Sequence, residues 1–95
     1  MREIIYKNSF KKELKLMQSR GKDINKMKKV VNLLANNSVL PASYKDHQMM
    51  GKFSDFRDIH VEPDWILIYK KRNPTEEFPN GALFLEATGT HSDLF

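Results

Sequence analysis

The amino-acid sequence predicts an α+β fold, a helical hairpin packed on a mainly antiparallel sheet in the order β-α-α-β-β-β. Three observations carry that prediction. Apolar residues recur at helical spacing twice before residue 36, the period changes to two from Phe56 onward, and helices are segregated from the later strands. Ninety-five residues are expected to form one domain, 1–95. A chain of this size buries roughly 60–70% of its unfolded surface, so one modest core needs no disulfide support.

The elements follow in order. Arg2-Glu3-Ile4-Ile5-Tyr6-Lys7 reads as a short strand, and Asn8-Ser9 offers a helix cap before Phe10, Leu14 and Met17 at i, i+4 and i+7. Gly21 ends that helix and Asp23 caps the next, where Ile24, Met27, Val31 and Leu34 recur at helical spacing. The short Gly21-Lys22 link implies an antiparallel hairpin. Residues 36–55 lack steady periodicity and read as a long surface connection, a kind of segment that often carries function. From Phe56, alternation turns Arg57, Ile59 and Val61 one way and Phe56, Asp58, His60 and Glu62 the other. Pro63-Asp64 signals a turn. Trp65-Ile66-Leu67-Ile68-Tyr69 is apolar on both faces, as a central strand is. Asn73 to Gly81, with two prolines, reads as a loose connection to a last strand, Ala82–Thr88. The hairpin is expected to cover one sheet face and leave the other for binding.

Composition narrows the classes. With 40% hydrophobic and 29% charged residues the chain resembles ordered globular proteins, not disordered ones. No apolar run approaches a membrane span, and no signal-type segment is read at the start. The absence of cysteine excludes a disulfide scaffold and thiolate metal sites, and fits a reducing, cytoplasmic setting. Sixteen Lys and Arg against 12 Asp and Glu give a net charge of +4, which suggests an anionic partner but is a weak signal alone.

The chemistry-bearing residues lie in the second half. His47, His60 and His91 each stand beside at least one acid and near basic or aromatic residues. Asp58 and His60 emerge on one strand face, and Asp64 sits at the adjoining turn within reach of His60. A carboxylate beside an imidazole fixes its tautomer, and imidazole titrates near pH ~6.5, so such pairs suit general acid–base work. The bland alternatives are that Asp64 is only the turn residue after proline and that Asp58–His60 is a solvated edge. Thr90-His91-Ser92-Asp93 has the ends of a capping box, which would place His91 in a helical first turn with backbone N–H groups open to phosphate. Otherwise His91 is a surface histidine. Phe95 either docks into the core or offers a stacking platform for an unpaired base. Lys45, Lys52 and Arg57 flank the histidine segments as candidate phosphate contacts, although alternation turns Arg57 away from Asp58. Three histidines with an acid can also ligate zinc, but no short His-x-x-x-His spacing supports it; no metal and no cofactor are expected.

Tyr44-Lys45-Asp46-His47, Phe56-Arg57-Asp58, His60 through Lys70, and Thr88-Gly89-Thr90-His91 with Asp93-Leu94-Phe95 together resemble the YafQ branch of the RelE superfamily. These are toxins of bacterial type II toxin–antitoxin pairs. Asp23 through Asn37, with Leu33-Leu34 and Asn36-Asn37, is similar to that family's second helix, so the likeness covers most of the chain in the right order. It implies a compact RelE-like RNase fold and a ribosome-dependent endoribonuclease that cuts mRNA in the ribosomal A site. It transfers catalytic positions to His47, Asp58, His60, Asp64 and His91, with Phe95 positioning the RNA. It also implies a cognate antitoxin, in a heterotetramer, and no membrane partner. The Asn73–Gly81 connection departs from the family pattern, being longer and richer in proline. A rival reading of the same basic face is a non-catalytic RNA- or ribosome-binding inhibitor of translation.

Overall fold

The computed structural model describes residues 1–95 as a five-stranded sheet with a helical hairpin on one face. The elements are β1 (Glu3–Tyr6), α1 (Asn8–Ser19), α2 (Ile24–Ala35), β2 (His47–Gln48), β3 (Arg57–Glu62), β4 (Trp65–Arg72), β5 (Ala82–Gly89) and α3 (His91–Leu94), with 3₁₀ turns at Ala42–Tyr44 and Gly51–Phe53. The sheet order is β1-β5-β4-β3-β2. Only β1 runs parallel to its neighbour, Glu3 opposite Ala82 and Tyr6 opposite Leu85. The expected α+β architecture is present, with one strand more than the sequence predicted. Residues 36–55 are not a plain connection, since β2 pairs antiparallel with β3, His47 opposite Asp58 and Gln48 opposite Arg57. Two residues are too few to show a period.

The helices form for the reasons their spacing gives, with one change at the first cap. Asp23 accepts the Asn25 backbone N–H at 2.9 Å and caps α2 as expected. The first residue before α1 is Lys7, which gives no side-chain cap; the Ser9 hydroxyl donates instead to the Glu86 carbonyl on β5. That bond spends the hydroxyl on docking the helix rather than on closing its end.

Phe10, Met17, Met27, Val30, Val31 and Leu34 from the hairpin pack against Ile59, Val61, Trp65, Leu67, Tyr69, Leu83 and Leu85 from the sheet. Truncating a buried residue of this kind costs about 2–5 kcal/mol. The polar tip of Trp65 is satisfied inside the core: its indole N–H donates to Thr88 Oγ1 at 2.9 Å, and that hydroxyl donates to the Ile66 carbonyl at 2.7 Å. The relay ties β4 to β5 without an unpaired buried donor. A bulge between His60 and Glu62 breaks the alternation of β3, so Glu62 stands opposite Trp65 rather than on the His60 face. There it meets Lys22 Nζ at 2.8 Å and Lys26 Nζ at 2.7 Å from the hairpin. These cations hold the Glu62 carboxyl below the usual carboxylate range. No helix is long and apolar enough to cross a membrane.

Asp46 holds the β2 arm on the sheet. Its carboxylate accepts Arg57 Nε at 3.2 Å and Nη2 at 3.1 Å, and it also receives the Tyr69 hydroxyl. Burial, then the Asp46 carboxylate, pushes the Tyr69 phenol above its ordinary value, so it stays a donor. Arg57 is therefore engaged by Asp46, on the same face of β3 as Ile59 and Val61. Asp46→Ala is expected to lower the unfolding free energy by about 1–3 kcal/mol, read from urea denaturation. An unchanged midpoint would mean that the arm is held by its backbone pairing alone.

Candidate active site

β3 presents Asp58 and His60 on the face away from the hairpin, and strand register then supplies their neighbours. His47 lies directly opposite Asp58, and its Nε2 is 3.6 Å from Asp58 Oδ2. Its other ring nitrogen, Nδ1, is 2.8 Å from the Lys45 carbonyl and donates there, which leaves Nε2 turned to the site. Lys45 adopts a left-handed backbone (φ 49°) to make this turn. That conformation costs a non-glycine residue roughly 1–2 kcal/mol.

His91 arrives from the other end of the sheet. Thr90 caps α3 by accepting the Asp93 backbone N–H, while the Asp93 carboxylate accepts the Thr90 backbone N–H at 2.9 Å, the reciprocal box its sequence suggested. Asp93 is also gripped by Arg20 Nη1 at 2.7 Å, tying α3 to the end of α1. Gly89 permits the close approach, because a β carbon there would sit 2.9 Å from the Asp93 β carbon. Asp64 Oδ1 accepts the His91 backbone N–H at 3.0 Å and lies 2.6 Å from its Nδ1. These bonds keep the Asp64 carboxyl below the usual range. They fix the ring so that Nε2 is free.

The result is a file of rings. Centroids of His47 and His60 are 6.4 Å apart, those of His60 and His91 5.6 Å, and those of His91 and Phe95 6.3 Å. Phe95 is 65% exposed, so it is not a core residue. His60 lines a cleft of about 100 Å³ with Ser43, Lys45 and Pro63. Asp58 Oδ1 and His60 Nδ1 are buried without a hydrogen-bond partner in the protein. Unpaired buried polar atoms cost about 1–3 kcal/mol each, and they are tolerated where chemistry needs them. A larger groove of about 270 Å³ between the helices is mostly apolar and holds no histidine. The histidines lie at the smaller cleft and beside it.

The structure brings together His47, Asp58, His60, Asp64, His91, Phe95 and Lys45. Two expectations change. Asp64 serves His91 and not His60, because the turn after β3 points it at the start of α3. The backbone N–H groups of His91 and Asp93 are taken by Asp64 and Thr90, so they are not open to phosphate. Lys52 lies over the Phe53 ring at 5.3 Å, on the turn beyond β2. Sequence reasoning missed Asp46 and Arg20 as the residues that hold the two arms. No local spacing reveals partners 73 positions apart, as Arg20 and Asp93 are.

Over residues 2–95 the chain matches the family described as bacterial toxin of type II toxin–antitoxin system, YafQ. It belongs to the YafQ toxin family. It is 48% identical over 95 residues to the mRNA interferase toxin YafQ of Escherichia coli strain K12, covering 99% of this chain and 96% of that one. It superposes on a chain of the crystallised E. coli DinJ–YafQ complex with a TM-score of 0.83 and 49% identity, covering 100% of this chain and 99% of that one. The metal-bound toxin from Helicobacter pylori is similar over the whole of both chains, with a TM-score of 0.85 and 37% identity. The fold of this YafQ-family toxin is thus that of the family.

The Asp93 anchor has a signed pH dependence. The Arg20 guanidinium, with help from Thr90, depresses its carboxyl to about 2. An ordinary aspartate titrates near ~3.9. A depressed folded value stabilises fully above the unfolded value and is lost as pH falls through the folded one. The stability gap between wild type and Asp93→Ala is expected to be constant from neutral pH to about 5 and to narrow below about 4. Urea titrations across that range check it; a gap that does not narrow would contradict the anchor.

Proposed function

We propose that this YafQ-family toxin, an mRNA interferase and therefore an endoribonuclease, cuts mRNA in the ribosomal A site by metal-independent acid–base chemistry and so stops translation. The observation that supports this most is the file of three imidazoles on one sheet face, with one ring nitrogen of His47 and of His91 already engaged.

The reaction needs three services. A base removes the proton of a ribose 2′-hydroxyl, whose oxygen attacks the adjacent phosphorus. An acid protonates the 5′-oxygen as its bond to phosphorus breaks, leaving a 2′,3′-cyclic phosphate and a 5′-hydroxyl. Cations stabilise the charge that develops between these steps. His60 is the base, at the centre of the file and in the cleft. His91 is the acid, its Nδ1 held by Asp64 and its Nε2 presented to the leaving oxygen. His47, set by Asp58 and the Lys45 carbonyl, contacts phosphate together with Lys45. Phe95 stacks on a base next to the cut and holds the phosphate in line. Lys52 adds a more distant phosphate contact.

The partners follow from the same reading. Ribosomal RNA supplies much of the substrate geometry, so free RNA is a poor substrate. E. coli YafQ has been solved with DinJ; here a cognate antitoxin, in a heterotetramer, covers the basic site with an acidic segment in the cytoplasm.

The test mixes purified protein with mRNA-loaded ribosomes in EDTA and maps cut ends by primer extension. Wild type is expected to cut within the A-site codon. His60→Ala and His91→Ala are expected to lose about 10²–10⁴-fold in rate. Equal cutting by the variants would overturn the assigned pair. Blocked translation without cuts would favour a binding inhibitor, and cutting only on added metal would favour metal-assisted hydrolysis.

A further inference from the structure

The open face of the sheet does not end at the histidines. Lys7, Phe56, Lys70, Arg72, Glu77, Phe78, Phe84 and Glu86 line a second groove of about 390 Å³. Phe84 is its floor: Lys7 Nζ stands 5.8 Å, Lys70 Nζ 5.7 Å and the Arg72 guanidinium carbon 5.5 Å from the ring centroid. Lys70 Nζ is also 5.3 Å from the Phe56 ring. Phe78 meets Phe84 edge-on, with centroids 5.9 Å apart and planes at 88°.

Phe78 comes from the proline-containing connection between β4 and β5. That loop is built rather than slack. The Thr75 and Gly81 backbone N–H groups both donate to the Phe78 carbonyl, and the Phe78 N–H donates to the Thr75 hydroxyl. The connection thus supplies an aromatic wall. None of Lys7, Lys70 and Arg72 is in an ion pair, so their charge is not spent within the protein. Glu77 and Glu86 lower the local charge but leave the three cations in excess.

Phe56, whose ring meets Lys70, precedes β3 and lies four residues before His60, about 13 Å of extended chain. An extended single strand can reach from the cleft to the groove.

We propose that this groove is a second RNA subsite, in which an unpaired base of the mRNA stacks on Phe84 and neighbouring phosphates meet Lys7, Lys70 and Arg72. The proposal rests on the reading of the protein as an RNA-cutting toxin and extends its footprint along the message. Rings with cations at their rims suit single-stranded nucleic acid, since every base offers a π face. An acidic antitoxin segment would use the cations but has less use for the rings.

The test measures anisotropy of labelled oligouridylates with 2′-O-methyl ribose, which cannot be cut. One strand has about three nucleotides and one about eight, the range of single-strand sites. Phe84→Leu keeps an apolar side chain but removes the ring. It is expected to weaken the longer strand about tenfold and leave the shorter one unchanged. Lys70→Ala and Arg72→Ala are each expected to reduce the salt slope for the longer strand by about 0.7. Thermal melts of each variant report whether it folds, and Phe84→Trp in place of Phe84→Leu is expected to restore the affinity. Equal binding of the longer strand by wild type and Phe84→Leu overturns the subsite, as does failure of wild type to bind it. Loss of antitoxin binding alone assigns the groove to the antitoxin and overturns it too. Cleavage on ribosomes by wild type, measured in parallel, shows whether the function itself stands when the subsite fails.

Discussion

In β3, Ile59 and Val61 are buried against the helical hairpin while Asp58 and His60 stand on the opposite face. Side chains alternate along a strand, so a slip of one residue would exchange the two sets. His60 would enter the core and Ile59 the cleft. The same register places Asp58 opposite His47 and His60 opposite Ile66, so the position of His47 beside Asp58 follows from it. Burial of the apolar pair opposes such a slip, and the bulge lets the chain leave that register only after His60.

Two arms complete the site, and both are held by carboxylates that do no chemistry. Asp46 fastens the β2 arm through Arg57 and Tyr69 and thereby sets His47. Asp93 fastens α3 through Arg20 and its own cap, and Asp64 then aligns His91. The division of labour is physical. The anchoring carboxylates have donors committed to them, whereas Asp58 keeps a buried oxygen and His60 a buried nitrogen without a partner. Order is built around the cleft so that the groups inside it stay available.

Much of this was legible in the residues. The helices showed because Phe10, Leu14 and Met17, then Ile24, Met27, Val31 and Leu34, repeat at helical spacing. β3 showed because apolar Ile59 and Val61 alternate with polar Asp58 and His60. The long-range parts were not legible. β2 is two residues on an edge, too short for a pattern. The bulge that turns Glu62 toward Lys22 and Lys26 leaves no local mark, and neither does the choice of Asp64 for His91 over His60. Alternation placed Arg57 on the face of Ile59 and Val61, but its ion pair with Asp46 left no local mark. The proline-containing connection stood out only as a departure, and its role as an aromatic wall needed the fold.

In the proposed reaction His91 protonates the leaving 5′-oxygen while His60 acts on the 2′-hydroxyl. The most direct measurement is single-turnover cleavage of an A-site message whose scissile 5′-oxygen is replaced by sulfur. A thiolate leaves without being protonated, so the substitution removes the need for an acid and leaves the need for a base. With these roles, His91→Ala regains most of the wild-type rate on this substrate and His60→Ala does not. Recovery by His60→Ala, or by neither variant, would contradict them.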